Sequence, residues 1–294
     1  MSAGVPTSSR APGRRRLVLM LIAAAGAWAA LHLGLSPAGL IPSEGGLGVA
    51  GRFLSAAFQP ALTYESDYVP AGAPPLLLKV LRAVWQTIAF AAMTAAVSTV
   101  VGLALGFFGS TAWWADETTG GAGPIRRLFF GAIAPSIYAA TRLLIALMRS
   151  VHELLWAVLF MAASDLTPLA ALIAIAIPYS GFLAKVFSEM VDEAPRNAAA
   201  ALRAAGASPL QVYCFGLLPR ALPDVLAYII YRFECALRSS TVVGFFGITT
   251  LGYYIKQSFD ELHYREVWTY LYALVLMIAL IDFWSGALRR RLVT

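Results

Sequence analysis

The feature that most constrains this chain is a succession of apolar stretches, each long enough as a helix to cross a lipid bilayer. About 20 apolar residues in helical form span the roughly 30 Å hydrocarbon layer. Residues 17–35, 80–108, 128–148, 154–187, 210–243 and 267–288 each reach that length or nearly so. Apolar residues make up 59% of the chain, against about 45–50% in ordinary soluble domains. Charged residues make up only 13%, about half the usual share. A soluble core cannot absorb so many long apolar runs. The expected fold class is therefore an all-α integral membrane protein with about six transmembrane helices.

The net charge is +6, and the basic residues gather at the ends of the apolar stretches. Arg10, Arg14, Arg15 and Arg16 precede the first stretch, and Arg289, Arg290 and Arg291 follow the last. Arg126 and Arg127 close a polar, Gly-rich turn over residues 111–123. Arginine clusters also suit nucleic acid. Clusters that abut apolar spans instead follow the excess of Lys and Arg in cytoplasmic segments. Six spans place both terminal clusters in the cytoplasm, whereas five or seven would separate them. The expected organisation is a cytoplasmic tail (1–16), a first helix with an external loop (17–79), a transmembrane core (80–288) and a cytoplasmic tail (289–294).

Individual segments refine this plan. The first apolar stretch, behind its arginines, also resembles a signal peptide. It is longer than the about 7–15 residues of a signal core, and no small-x-small cleavage site follows, so a retained helix is expected. Residues 36–75 are rich in Gly and Pro and read as the external loop, with an amphipathic piece at 49–58 lying on the membrane. Residues 149–153 read as an outer turn, where His152 and Glu153 are candidates for docking a substrate-delivering partner. Asp165, Pro168 and Pro178 interrupt the fourth stretch, a kind of break tolerated where neighbouring helices re-satisfy the backbone. Cys214 and Cys235 lack any metal-type or CxxC spacing and read as small apolar residues.

The most informative segment is 189–219, EMVDEAPRNAAAALRAAGASPLQVYCFGLLP. It offers a helix, a glycine break, a second short helix and a proline. Gly206 supplies the turn, Pro209 can start the second piece, and Arg196, Arg203 and the alanines make a compact body. On composition alone it also reads as an ordinary loop between spans. This segment resembles the coupling loop of ABC-importer permeases, whose pattern is Glu-Ala-Ala, three residues, Gly, nine residues, Ile-x-Leu-Pro. Ala201, Gly206, Leu218 and Pro219 match at that spacing. Ala200 stands in place of the glutamate, Leu202 of the second alanine and Gly216 of the isoleucine.

The flanks sharpen the resemblance. Residues 149–157, RSVHELLWA, resemble the Arg-x-x-x-Glu-Leu-x-Trp-Ala run of phosphonate-type permeases. So do residues 183–189, residues 231–234 with 238–244, and Asp282 with Ser285 and Arg289. The run 247–252, GITTLG, departs from the family, which is richer in glycine there. The resemblance covers residues 149–294. It implies a type I ABC importer permease fold, with the coupling helix seated in a cleft of an ATPase subunit. It also implies an ATPase dimer, an extracytoplasmic binding protein, and a second permease, identical or sibling.

Charged residues inside spans cost roughly 2.5–3.5 kcal/mol each on insertion scales and usually face protein or water. Glu234 and Arg238 are spaced to share a helix face and pair. They form a structural lock, or Arg238 with Ser239, Ser240 and Thr241 lines an anion path. Gly244 and Gly247 belong to the same candidate path or gate. Lys185 and Glu189 repeat the spacing as a helix-end pair.

No GxxxxGK[ST] phosphate loop is present, and Lys79, Lys185 and Lys256 lack its glycine context. HExxH and GxSxG are absent too. The chain is therefore not expected to be an enzyme, to hold a metal or cofactor, or to bind nucleic acid. ATP would be bound by a partner subunit. The expected function is the translocation path for phosphonate or a related phosphorus oxyanion across a bacterial inner membrane. The competing reading is a self-contained secondary transporter or channel for small anions.

Overall fold

The computed structural model describes residues 12–35, 44–113, 125, 128–163 and 167–293. Arg10, Arg126, Arg127 and Asp165 lie outside them. Every regular element among the described residues is helical. Among the described residues, six helices are long and apolar enough to cross a membrane, as the sequence predicts.

The chain divides into two units, at residues 1–55 and 56–294. The first holds α1 (Pro12–His32) and almost all of α2 (Glu44–Ala56). On α1, Leu19, Ile22, Trp28 and Leu31 are all exposed. An apolar helix with uncovered side chains is what a lipid-facing span requires. The amphipathic piece expected at 49–58 is part of α2, which begins earlier.

The second unit is a helical bundle. It comprises α3 (Leu76–Phe108), α4 (Ala134–Ser150), α5 (Glu153–Ala163), α6 (Pro168–Glu193), α7 (Asn197–Ala204), α8 (Leu218–Val243), α9 (Leu251–Asp260) and α10 (Tyr264–Val293). Wide π turns, Phe129–Ile133 and Val212–Leu217, lead into α4 and α8. α6 is the most enclosed helix, and α3 runs parallel along it. The approach is close because α3 offers small residues there. A Cβ on Gly102 would lie 2.7 Å from the Leu183 Cβ, and one on Gly106 3.2 Å from the Phe187 Cβ. The Gly-x-x-x-Gly spacing lets the two backbones touch, and dispersion does the rest. Ser98 adds a hydrogen bond to the Ala176 carbonyl at 3.3 Å.

One expectation is corrected. The turn at 149–153 does not sit at an end of the bundle. A Cβ on Gly181 would lie 3.1 Å from the Arg149 Cγ and 2.8 Å from the Met148 Cβ. Gly181 is near the midpoint of the 26-residue α6. Arg142, two turns earlier on α4, meets Glu189 and Asp192 near the C-terminus of α6. So α4 and α5 together form one broken crossing, and the break falls at mid-depth. A polar, helix-breaking pair at Val151–His152 reads locally as a surface turn. Here it lies against the middle of α6, with Ser150 and His152 exposed on the side of the bundle.

The end of the bundle opposite α7 is tied by two carboxylates. Glu65 accepts hydrogen bonds from the backbone N–H groups of Arg265 (3.0 Å) and Glu266 (3.2 Å), at the start of α10. Glu266 accepts one from the Glu65 N–H at 2.7 Å. These bonds satisfy orphan donors at a helix N-terminus, where negative charge is also favoured.

A coupling body and a central arginine pair

The segment 189–219 folds as the sequence suggests, into a short helix, a turn and a re-entering chain. Arg196 caps α7, and its guanidinium reaches the Asp192 carbonyl at 3.4 Å. Gly206 takes φ +82°. The Ala207 N–H bonds the Leu202 carbonyl at 3.0 Å, and the Gly206 N–H bonds the Arg203 carbonyl at 2.9 Å. This is the left-handed glycine termination that satisfies the last helical carbonyls. Ser208 and Gln211 then cap the turn Pro209–Gln211 reciprocally. Ala200, Ala201 and Gly206 are exposed. Arg203 is half-buried, and its guanidinium lies 3.5 Å from the Ala112 carbonyl.

The two non-glutamate departures from the coupling pattern explain each other. Gly216 is buried under α7. A Cβ there would lie 3.1 Å from the Leu202 Cδ1 and 3.3 Å from the Ala199 Cα. The larger Leu202 fills space that the smaller Gly216 leaves. Leu217 is buried beneath α7, Leu218 packs against the same cluster, and Pro219 lies exposed in the first turn of α8.

A junction the sequence did not reveal lies beside α7. Asp192 accepts from Ser110 Oγ (2.6 Å), Thr111 N (3.0 Å) and Thr111 Oγ1 (3.1 Å). An Arg142 nitrogen stands 3.9 Å away. One carboxylate thus joins the ends of α3 and α6 to α4. Lys185 and Glu189 pair at 2.9 Å, the predicted i,i+4 contact.

The proposed path residues on α8 do not come together as one lining. Glu234 does not pair with Arg238. It meets Arg289 at 3.1 Å and accepts a hydrogen bond from Ser285, both on α10. Arg238 is exposed. Ser240 and Thr241 are buried, and their hydroxyls bond back to the carbonyls of Ala236 (2.6 Å) and Leu237 (3.1 Å). Gly244 packs backbone to backbone against the start of α9, where a Cβ would lie 2.3 Å from the Tyr253 N. Gly247 takes φ +100° to end the short helical bend before it.

Ser239 does belong to a polar group at mid-depth. Its Oγ lies 2.9 Å from Tyr179 Oη and donates to Glu153 Oε1 at 3.1 Å. Next to it lie two arginines that sequence reasoning left aside. The Arg232 guanidinium stands 4.4 Å from the Phe182 ring centre, 5.0 Å from Tyr179 and 5.7 Å from Tyr228. Arg149 stands 5.1 Å from the same Phe182 ring, on the α4 side. A signal was available, because an arginine inside an apolar stretch marks a site by its cost alone.

Two cavities flank this level. At the α7 end, a cavity of about 570 Å³ is lined by Met190, Glu193, Arg220, Asp224, Tyr228 and Tyr231, among others. At the opposite end, one of about 900 Å³ is lined by Tyr64, Lys79, Arg82, Tyr254, Gln257 and Glu266, among others. Lys79 lies over the Tyr254 ring at 4.7 Å. Burial pushes the hydroxyl pKa values of Tyr64 and Tyr254 up, so both remain neutral donors.

Comparison with known proteins places this geometry. The phosphite transport system permease protein PtxC of Stutzerimonas stutzeri is 36% identical over 53% of this chain and 57% of its own length. The phosphate-import permease protein PhnE of Mycolicibacterium smegmatis is 31% identical over 54% of this chain and 30% of its own length. The chain thus spans little more than half the length of the first of these, and less of the second. A structure titled as inward-facing conformations of the MetNI methionine ABC transporter shares the fold, with TM-score 0.60 at 21% identity. That likeness covers 75% of this chain and 99% of the other. A family model described as the inner membrane component of binding-protein-dependent transport systems matches residues 17–294. The chain therefore belongs to the family of binding-protein-dependent transport system inner membrane components.

Proposed function

We propose that this chain is the permease subunit of an ATP-driven importer for a phosphorus oxyanion such as phosphonate, phosphite or hypophosphite. The observation that carries the reading is α7. It is a short helix with exposed Ala200 and Ala201, held between two long spans by the Gly206 turn and the Gly216–Leu202 contact. Such a body suits seating in a partner's cleft. In this reading both termini and α7 face the cytoplasm, and a dimer of ATPase subunits docks on α7. ATP is bound and hydrolysed there, and this chain needs no cofactor of its own.

An extracytoplasmic binding protein delivers the anion to the opposite end, where Lys79 and Arg82 line the 900 Å³ cavity. The His152–Glu153 turn lies at mid-depth along α6, away from the end at which a binding protein would dock. A second permease, a copy or a sibling, completes the path. The substrate class is supported by the relatives described as phosphite and phosphonate permeases, at 30–36% identity.

Co-expression with an ATPase subunit and a binding protein encoded beside this chain, followed by reconstitution in liposomes, tests the reading. Uptake of phosphite or methylphosphonate should need ATP and the binding protein. Uptake by this chain alone without ATP would show a secondary transporter instead.

A further inference from the structure

We infer that Arg149 and Arg232 form a transit site that holds the phosphorus oxyanion at mid-depth, between their two guanidinium groups. This inference rests on the importer reading above and deepens it.

Three observations carry it. First, the two arginines converge. Both guanidinium groups lie over the ring of Phe182, at 5.1 and 4.4 Å. Their separation therefore cannot exceed the sum of those distances, which puts both groups within reach of a single tetrahedral anion. Second, their charge is not neutralised by direct pairing. Among the described residues neither makes an ion pair with a carboxylate, and the Nε of each is buried without a hydrogen-bond partner. The carboxylate in this polar group, Glu153, is engaged by Ser239 at 3.1 Å and faces His152 at 3.7 Å. Third, the site adjoins a cavity. Tyr228 both flanks Arg232 and lines the 570 Å³ cavity at the α7 end.

Two cations inside a span are costly unless something compensates them. Aromatic faces compensate partly through cation–π attraction. An oxyanion compensates fully, because a guanidinium fork matches two phosphoryl oxygens. The incomplete pairing also suits transport. A carboxylate salt bridge would compete with the anion, and a fully enclosed cage would not release it. Glu153, held one hydrogen bond beyond the site by Ser239, places a negative charge behind it and opposes long residence.

The test uses the assembled transporter with its ATPase and binding protein. Arg149→Gln and Arg232→Gln should each lower phosphite and methylphosphonate uptake by about tenfold to a hundredfold, the loss of one charge-assisted contact. ATPase stimulation by the binding protein should persist, showing intact assembly. Arg→Lys at either position should recover part of the uptake.

A second measurement avoids folding defects. In the wild-type complex, phenylglyoxal labelling of Arg149 and Arg232, mapped by mass spectrometry, should fall when phosphite or methylphosphonate is added. It should not fall with chloride. Wild-type uptake by both Gln variants, or labelling unaffected by either oxyanion, overturns the site and leaves the importer reading standing. Absence of ATP-dependent uptake of any phosphorus oxyanion by the wild type overturns the importer reading. The labelling then still decides whether the two arginines hold an anion.

Discussion

The pairing of Glu234 with α10 makes a sharp prediction. Glu234 is buried, with its side chain 8% exposed, and Arg289 opposite it is 33% exposed. Their contact at 3.1 Å, together with the Ser285 hydroxyl, joins α8 to α10. Removing one member of a buried ion pair typically costs about 3–5 kcal/mol, because the other charge is left uncompensated. Water reaches Arg289, so the cost should fall near or below the low end, at about 2–3 kcal/mol for Glu234→Ala. The informative experiment is a pair of double-mutant cycles in detergent, read by denaturant or thermal unfolding. Glu234→Ala with Arg289→Ala should show a coupling of about 1–2 kcal/mol. Glu234→Ala with Arg238→Ala should be additive within about 0.5 kcal/mol. Coupling to Arg238 and none to Arg289 would restore the local helix-face pair and refute this structure's assignment.

Other predictions follow from single contacts. Gly252→Ala should abolish folded, membrane-inserted protein, because its Cβ would lie 1.8 Å from the Thr241 carbonyl oxygen, which is backbone and cannot turn aside; detergent-soluble yield checks this. Gly216→Ala should cost about 1–3 kcal/mol by overpacking, and Leu202→Ala in the same chain should recover part of it in a melting assay. Asp192→Ala should lower uptake more than it lowers ATPase rate, since it frees the ends of α3 and α4 from α6; parallel measurement of both rates in liposomes decides it. Arg238 is exposed, so Arg238→Ala should leave stability unchanged while impairing uptake, and wild-type uptake by a well-expressed variant removes it from the path.

What the sequence disclosed was what chain-local physics controls. Apolar length identified the spans, and Gly206 and Pro209 marked the turn between two short helices. The i,i+4 rule found Lys185 with Glu189, where both side chains are 37–42% exposed and the other cation at Glu189, Arg142, stands farther off at 4.0 Å. The same rule failed at Glu234. There the local candidate is Arg238, but α10 brings Arg289 closer. Periodicity within one helix cannot register a partner delivered by another. The Arg149–Glu153 turn failed for a related reason. Polar residues after an apolar run resemble a surface turn. Their depth is set by how far α4 slides along α6, and that depends on Gly181 admitting Met148 and Arg149. Asp192 was invisible because its donors, Ser110 and Thr111, lie at the far end of another span.

These non-local contacts give α4 a position that neither end of it suggests alone. Arg142 faces Asp192 and Glu189, beside α7. Arg149 lies seven residues later on the same helix, about 10 Å along its axis, and stands over Phe182 at the level of Arg232. No proline or glycine separates the two arginines, so the intervening helix has no built-in hinge. A displacement of α7 that shifts Asp192 therefore acts on Arg142 and moves Arg149 with it. Arg232 is carried by α8, which the same displacement reaches through Leu202 and Gly216. The spacing of the two guanidinium groups depends on both routes. A change at the coupling body can thus alter the grip on an anion without any moving loop at the site itself.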